Sequence, residues 1–266
     1  MTTVRIILVL LLLLAPQLWL QRALAQEQDV DEQQMGRATF QELKAQGEIV
    51  SASPLYAVLR PITERIVRVA QPQYQYPIHF YIVHEKSPNA FATAGGNIYV
   101  VDSMFYFVHN TEELAGTLCH ETSHLIHHDA VRKMSNDDRI GWREFIAAVL
   151  LGGDLGTALA ISMVGDLDSQ HYSRDVEEAA DIKGSDTCAA AGYNPWGLVW
   201  LFRDFSDLPG TQTPEVLSDH PDDEHRIEAL EEHFRKNPAT FARFDSDVKS
   251  ATPLRLPKDR SEKFLT

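Results

Sequence analysis

Five residues, His120-Glu121-Thr122-Ser123-His124, constrain this chain more than any others. On an α-helix, residues four apart lie on one face about one turn apart. Two imidazoles at that spacing can grip one metal ion together. Glu121, beside the first histidine, then faces the position the metal leaves open, where a general base is useful. The chain must therefore build a helix here and bring at least one more ligand against it.

The surroundings predict that helix. Asn110 and Glu113 form a capping pair at its start, and Leu114, Leu118 and Leu125 mark its core side. The third ligand does not come from the helix's own continuation. A third histidine on that pattern needs Gly at 127 and His at 130, and the chain has His127 and Ala130. His127 and His128 read as surface histidines near the helix end, where they suit its dipole. A second helix supplies a better donor. Within Ser173-Arg174-Asp175-Val176-Glu177-Glu178-Ala179-Ala180-Asp181, Glu177 is the candidate ligand. Asp181 lies one turn later on the same face and can accept the outer N–H of a metal-bound histidine, fixing its tautomer. Ala179 and Ala180 permit close helix approach.

The first 25 residues differ from the rest. Arg5 precedes an apolar run from Ile6 to Ala15, and Ala23-Leu24-Ala25 forms a small-x-small site before Gln26. This predicts a secretory signal peptide cleaved after Ala25, with an uncleaved anchor as the alternative. Losing Arg5 and Arg22 would move the formal charge from −14 to −16. So acidic a chain argues against nucleic acid or anionic membrane as partner. Of the two cysteines, Cys119 and Cys188, each reads first as a small buried apolar residue, and export leaves a disulfide open.

The predicted organisation is one domain, 26–250, followed by a polar extended tail, 251–266. Residues 26–36 look loose. Residues 37–70 look helical, with a break at Pro54 and a kink or new start at Pro61. Strands are expected at 78–83 and 97–101, and helices at 173–190, 195–205 and 222–236. The apolar segment 140–164 is interrupted by Gly152-Gly153-Asp154, so neither half is long enough to span a membrane. A buried helical hairpin with some peripheral membrane contact is the expectation. The fold class is α+β, predominantly helical, with a small antiparallel sheet.

Taken in order, these pieces resemble the HtpX-like and CAAX-prenyl-endopeptidase family of zinc metallopeptidases, within the gluzincins. Asn89-Ala90-Phe91-Ala92 with Gly95-Gly96 resembles the family's substrate-binding edge strand and its turn. His120 to His124 resembles the zinc helix, and Ser173 through Asp181 the third-ligand helix. Ala191-Gly192-Tyr193-Asn194-Pro195 is similar to a family turn, and His220-Pro221 with Arg226 to a late His-Pro element followed by arginine. The resemblance implies a zincin-like catalytic domain holding one zinc ion through His120, His124 and Glu177. It implies oxyanion donors at His220 and Arg226, and substrate backbone contacts at Asn89, Ala90 and Phe91.

The chemistry expected of such a site is peptide-bond hydrolysis. Zinc lowers the pKa of a bound water towards about 7, and Glu121 takes its proton. The implied protein is a periplasmic or secreted endopeptidase acting on extended or misfolded polypeptide in envelope quality control. Two other readings stay open. One is a chaperone-like or latent zinc module in which His220 closes the metal's fourth position. The other is a zinc amidase acting on cell-wall peptide. Oligomeric state is not legible.

Overall fold

The computed structural model describes residues 32–132, 172–206 and 223–257. The leader at 1–25, the apolar segment 140–164 and His220 lie outside them. A helix α1 covers 32–46, starting within the stretch expected to be loose. After it come α2 (Tyr56–Ala70), β1 (His79–Val83), β2 (Ala90–Ala92), β3 (Asn97–Val101), short α3 (Met104–Phe107) and α4 (Thr111–Ile126). The later elements are α5 (Arg174–Ala191), α6 (Trp196–Ser206), α7 (Asp223–Lys236) and short α8 (Pro238–Phe241).

Helix α2 runs straight through Pro61 instead of restarting there. Proline removes the N–H that would bond the carbonyl of Ala57. Ala57 and Pro61 are both exposed, so water can serve that carbonyl.

The sheet is mixed, not antiparallel throughout. Its order is β1-β3-β2. β2 pairs antiparallel with β3 in the register Ala90↔Val100, Phe91↔Tyr99 and Ala92↔Ile98. β1 pairs parallel with β3, from His79↔Asn97 to Val83↔Val101. The chain leaving β1 crosses to the far side of the β3 position before turning back, so β1 and β3 share a direction. β3 is buried along its whole length, and β2 is left as an edge strand.

Helix α4 is the centre of the molecule. Every residue from Glu112 to Leu125 is buried, so the leucine stripe is only part of its covered surface. Leu114 and Leu118 join the main core with residues of α2, α5, α6 and α7. Full burial of such a side chain contributes about 1.5–3 kcal/mol. The cap forms as expected: Glu113 N–H donates to Asn110 Oδ1 at 2.9 Å. The polar residues of so buried a helix need partners. Glu112 accepts the Thr252 N–H and hydroxyl, both at 2.8 Å. Residues 251–257 are therefore docked, bridging Asn110 through Pro253. Leu254 and Leu256 pack on the core.

Helices α4 and α5 are antiparallel and tightly apposed. A Cβ on Gly184 would lie 3.0 Å from both Cα and N of His120, so any larger residue would crowd this approach. Ala180 is buried in the seam but Ala179 is exposed. Cys119 and Cys188 join the two helices by a disulfide within the core. α5 ends at Gly192 in the left-handed region, φ 80°, with Tyr193 N–H returning to Cys188 O at 2.9 Å. That turn, Ala191 to Pro195, launches α6.

Candidate metal centre

On α4, His120 and His124 sit one turn apart, 4% and 2% exposed. Their Nε2 atoms lie 2.9 Å from each other. Glu177, in the first turn of α5, sends its carboxylate between them. Oε2 is 3.5 Å from His120 Nε2, and Oε1 is 3.6 Å from His124 Nε2. The three side chains offer ligand atoms all within 4.8 Å of one another. Metal–ligand bonds of about 2.0–2.1 Å in a tetrahedron separate neighbouring ligand atoms by roughly 3.3 Å. The observed spacings bracket that value.

The hydrogen bonds on the far side of each ring make the case stronger. His120 Nδ1 is 2.9 Å from Asp181 Oδ1, and His124 Nδ1 is 2.9 Å from Asp129 Oδ2. Each carboxylate takes the Nδ1–H, which leaves each Nε2 a bare lone pair. Two lone pairs and one carboxylate thus converge on one buried point. Like partial charges so close repel, and a cation between them converts the repulsion into coordination. The residues fit a zinc ion: two imidazoles and a carboxylate are a hydrolytic zinc set.

Asp181 and Glu177 share a buried face of α5. Arg226, from α7, stands behind both. Its Nε and Nη2 donate to Asp181 Oδ2 and Oδ1, each at 2.7 Å, and Nη2 is 3.2 Å from Glu177 Oε2. The guanidinium is buried and stacks over Phe202, 4.3 Å from the ring centroid. Arg226 was expected as an oxyanion donor. In the structure these contacts tie it to Glu177, a candidate ligand, and to Asp181 behind His120.

Glu121 is 2% exposed, and its Oε2 accepts the Ala92 N–H at 2.9 Å. The edge strand therefore lies directly beside the prospective general base. Alternation along β2 explains the contact. Asn89 O and Thr93 N–H bond to β3, so the backbone groups of Ala90 and Ala92 face away from the sheet. Ala90 N–H is taken by Asn89 Oδ1 at 2.8 Å. The Phe91 side chain points to the opposite face of the sheet, where it stacks on Tyr99 with centroids 5.1 Å apart and joins the cluster under α1. Of the three expected substrate residues, Ala90 turns its N–H to the outer edge, where the Asn89 side chain meets it, and Phe91 pairs with Tyr99.

Two contributors went unread in the sequence. Asp129 lies five residues past His124, a spacing that no straight helix turns into a contact. Tyr172 stacks on the His124 ring at 4.5 Å and 17°. Only its place just before α5 hinted at it. A second group of possible ligands, His109, Glu113 and Asp204, also comes together. Its Glu113 is committed to the α4 cap, accepting His109 N–H at 2.6 Å, and the His109 side chain is largely exposed. It is an ion-paired helix start.

The comparisons agree with this geometry. A family model described as Peptidase family M48 matches residues 56–234. The "Beta-barrel assembly-enhancing protease" of Escherichia coli strain K12 is 24% identical over 206 residues, which is 74% of this chain and 42% of that protein. Its namesake from Yersinia pestis is 25% identical over the same shares. The "Mitochondrial metalloendopeptidase OMA1" of Schizosaccharomyces pombe is 24% identical over 207 residues, 76% of this chain and 60% of that protein. The chain thus spans less than half the length of the bacterial relatives. Among the described residues, no helix is long and apolar enough to cross a membrane. A match over well more than half the chain, centred on a buried His-His-Glu cluster beside a carboxylate base, shows that this chain belongs to Peptidase family M48, a family of zinc metallopeptidases.

Proposed function

We propose that the protein is an exported zinc endopeptidase, binding one zinc ion per chain, that cleaves extended or misfolded polypeptides of the cell envelope. The observation that carries this reading is the contact between Glu121 and the outward N–H of Ala92. It joins a prospective base, a metal centre and the outer edge of β2 at one place. An extended peptide can add to such an edge by main-chain hydrogen bonds, a mode that selects unfolded chain over folded surface. The names of the bacterial relatives, which tie them to β-barrel assembly, support an envelope substrate. The leader-like segment 1–25 supports export to the periplasm or beyond.

The zinc, held by His120, His124 and Glu177, would supply Lewis acidity at one open position. Glu121 takes a proton from the attacking water and delivers it to the leaving amine. Asp181 and Arg226 keep His120 and Glu177 oriented. His220 and Arg226 are the candidates to stabilise the oxyanion. Asn89 turns its side chain from the Ala90 N–H to the substrate backbone.

The test is direct. Mature protein is assayed for zinc content and casein cleavage beside a Glu121→Gln variant. Both should carry about one zinc, and the variant should lose at least about 10²-fold in rate. Equal cleavage by the two proteins defeats the mechanism. Zinc without cleavage in either favours the latent module, with His220 as the closing ligand.

A further inference from the structure

The structure assigns a positioning role to Asp129: it orients the second metal histidine, His124, and a three-residue latch from outside the site holds it there. The inference rests on the metal-centre reading but not on the peptidase activity.

The geometry sets the problem. Five residues past His124 on a continuing helix is about 140° round the axis. Asp129 would then face away from the imidazole. It reaches His124 because the helix is broken between them. α4 ends at Ile126, with His127 as its C-cap. His128 then adopts φ 56°, the one positive φ at a non-glycine position among the described residues. That conformation is costly for a residue with a Cβ. Its N–H closes on Leu125 O at 3.0 Å, and the chain resumes helical form at 129. The reversal brings Asp129, 6% exposed at its side chain, beneath His124 at 2.9 Å.

A strained residue persists when its surroundings over-determine it. Here the surroundings come from two distant elements. His128 Nδ1 meets the Glu32 carboxylate at 2.9 and 3.1 Å. Glu32 is 5% exposed and lies in the first turn of α1. Tyr74, after α2, donates its hydroxyl to Glu32 at 2.5 Å, and its ring lies 5.3 Å from that of His128. Glu32 and Tyr74 thus hold the left-handed turn, and the turn holds Asp129 on the metal histidine.

The experiment measures metal binding by the full mature protein. Zinc affinity is read by chelator competition, and the cobalt-substituted protein is read by its visible absorption. Asp129→Ala should weaken zinc binding by about 10–100-fold, the usual effect of removing the partner of a ligating histidine. It should also shift the cobalt bands. Asp129→Asn, which keeps an acceptor for Nδ1–H, should recover most of the affinity. Glu32→Ala should weaken binding less, and should add nothing to Asp129→Ala, because it acts through the same residue. Far-UV circular dichroism checks that each variant is folded. Unchanged affinity and cobalt spectrum in folded Asp129→Ala overturns the assignment. Additive effects of Glu32→Ala and Asp129→Ala overturn the latch. A wild type that binds zinc but cleaves nothing refutes the peptidase reading alone and leaves Asp129 standing.

Discussion

The guanidinium of Arg226 is enclosed by two carboxylates and an aromatic ring, and its removal leaves Asp181 and Glu177 buried without it. Breaking a buried ion pair from one side costs about 3–5 kcal/mol. Arg226→Leu should therefore destabilise the protein by that order in urea unfolding, and a loss under about 1 kcal/mol would show the pair to be dispensable. Which residues of the site can be found by eye follows from their spacing. His120 with His124, and Glu177 with Asp181, are each one helical turn apart, and helix geometry alone puts each pair on one face. Arg226 is recognisable as part of the site, but its partners are not, because they sit on another helix. Asp129 is hidden by a left-handed residue, His128, that interrupts the helical spacing.

At the level of elements, the seam between α4 and α5 carries the metal site. Glu177, Asp181, Gly184 and Cys188 recur at the spacing of one helix face and meet α4 in turn. Two substitutions probe it. Gly184→Ala places a methyl 3.0 Å from the His120 backbone. Overpacking of this kind costs about 1–3 kcal/mol, and the variant should also hold zinc less well. An alanine variant with wild-type stability and metal content would mean that the helices separate freely. Reduction of Cys119–Cys188 opens a cross-link spanning 69 residues. It should lower unfolding stability by about 2–4 kcal/mol, and a denaturation midpoint indifferent to reductant would argue against the cross-link. The disulfide could not be read from the chain because neither cysteine stands near the other in sequence. The sheet shows the same limit. β1 is legible from its alternation and β3 from the glycine pair before it, but parallel pairing of β1 with β3 depends on which side of β3 the intervening strand takes.

For the whole molecule, helix α1 is joined to the metal centre through His128. The pairing with Glu32 is the largest cause raising the pKa of His128 above its usual 6.5, Asp129 adding to it and Arg132 opposing it. A histidine raised in this way contributes stability that is complete below the unfolded value. That contribution is lost as pH climbs through the folded value. Hydrogen exchange over residues 32–46, corrected for its intrinsic pH dependence, should therefore speed up as pH rises from below about 6.5. Glu32→Gln should remove the effect, and a flat profile in the wild type would sink the coupling. Chelation should lower the melting temperature as well, since an ion bound only by the native state stabilises it. Unchanged melting with excess chelator would count against the centre.

The pairing of His120 with His124 and of Glu177 with Asp181 was written in local spacing, because a helix converts intervals of three and four into shared faces without help from the rest of the chain. The mixed order of the sheet, the disulfide, the true partners of Arg226 and the reach of Asp129 were decided by the fold. Each depends on contacts between segments far apart in sequence, or on a backbone conformation that only tertiary packing can hold. The His120–His124 turn is legible by itself. The structure adds that both of its histidines are gripped from behind, one by α5 and one by a turn that α1 keeps closed.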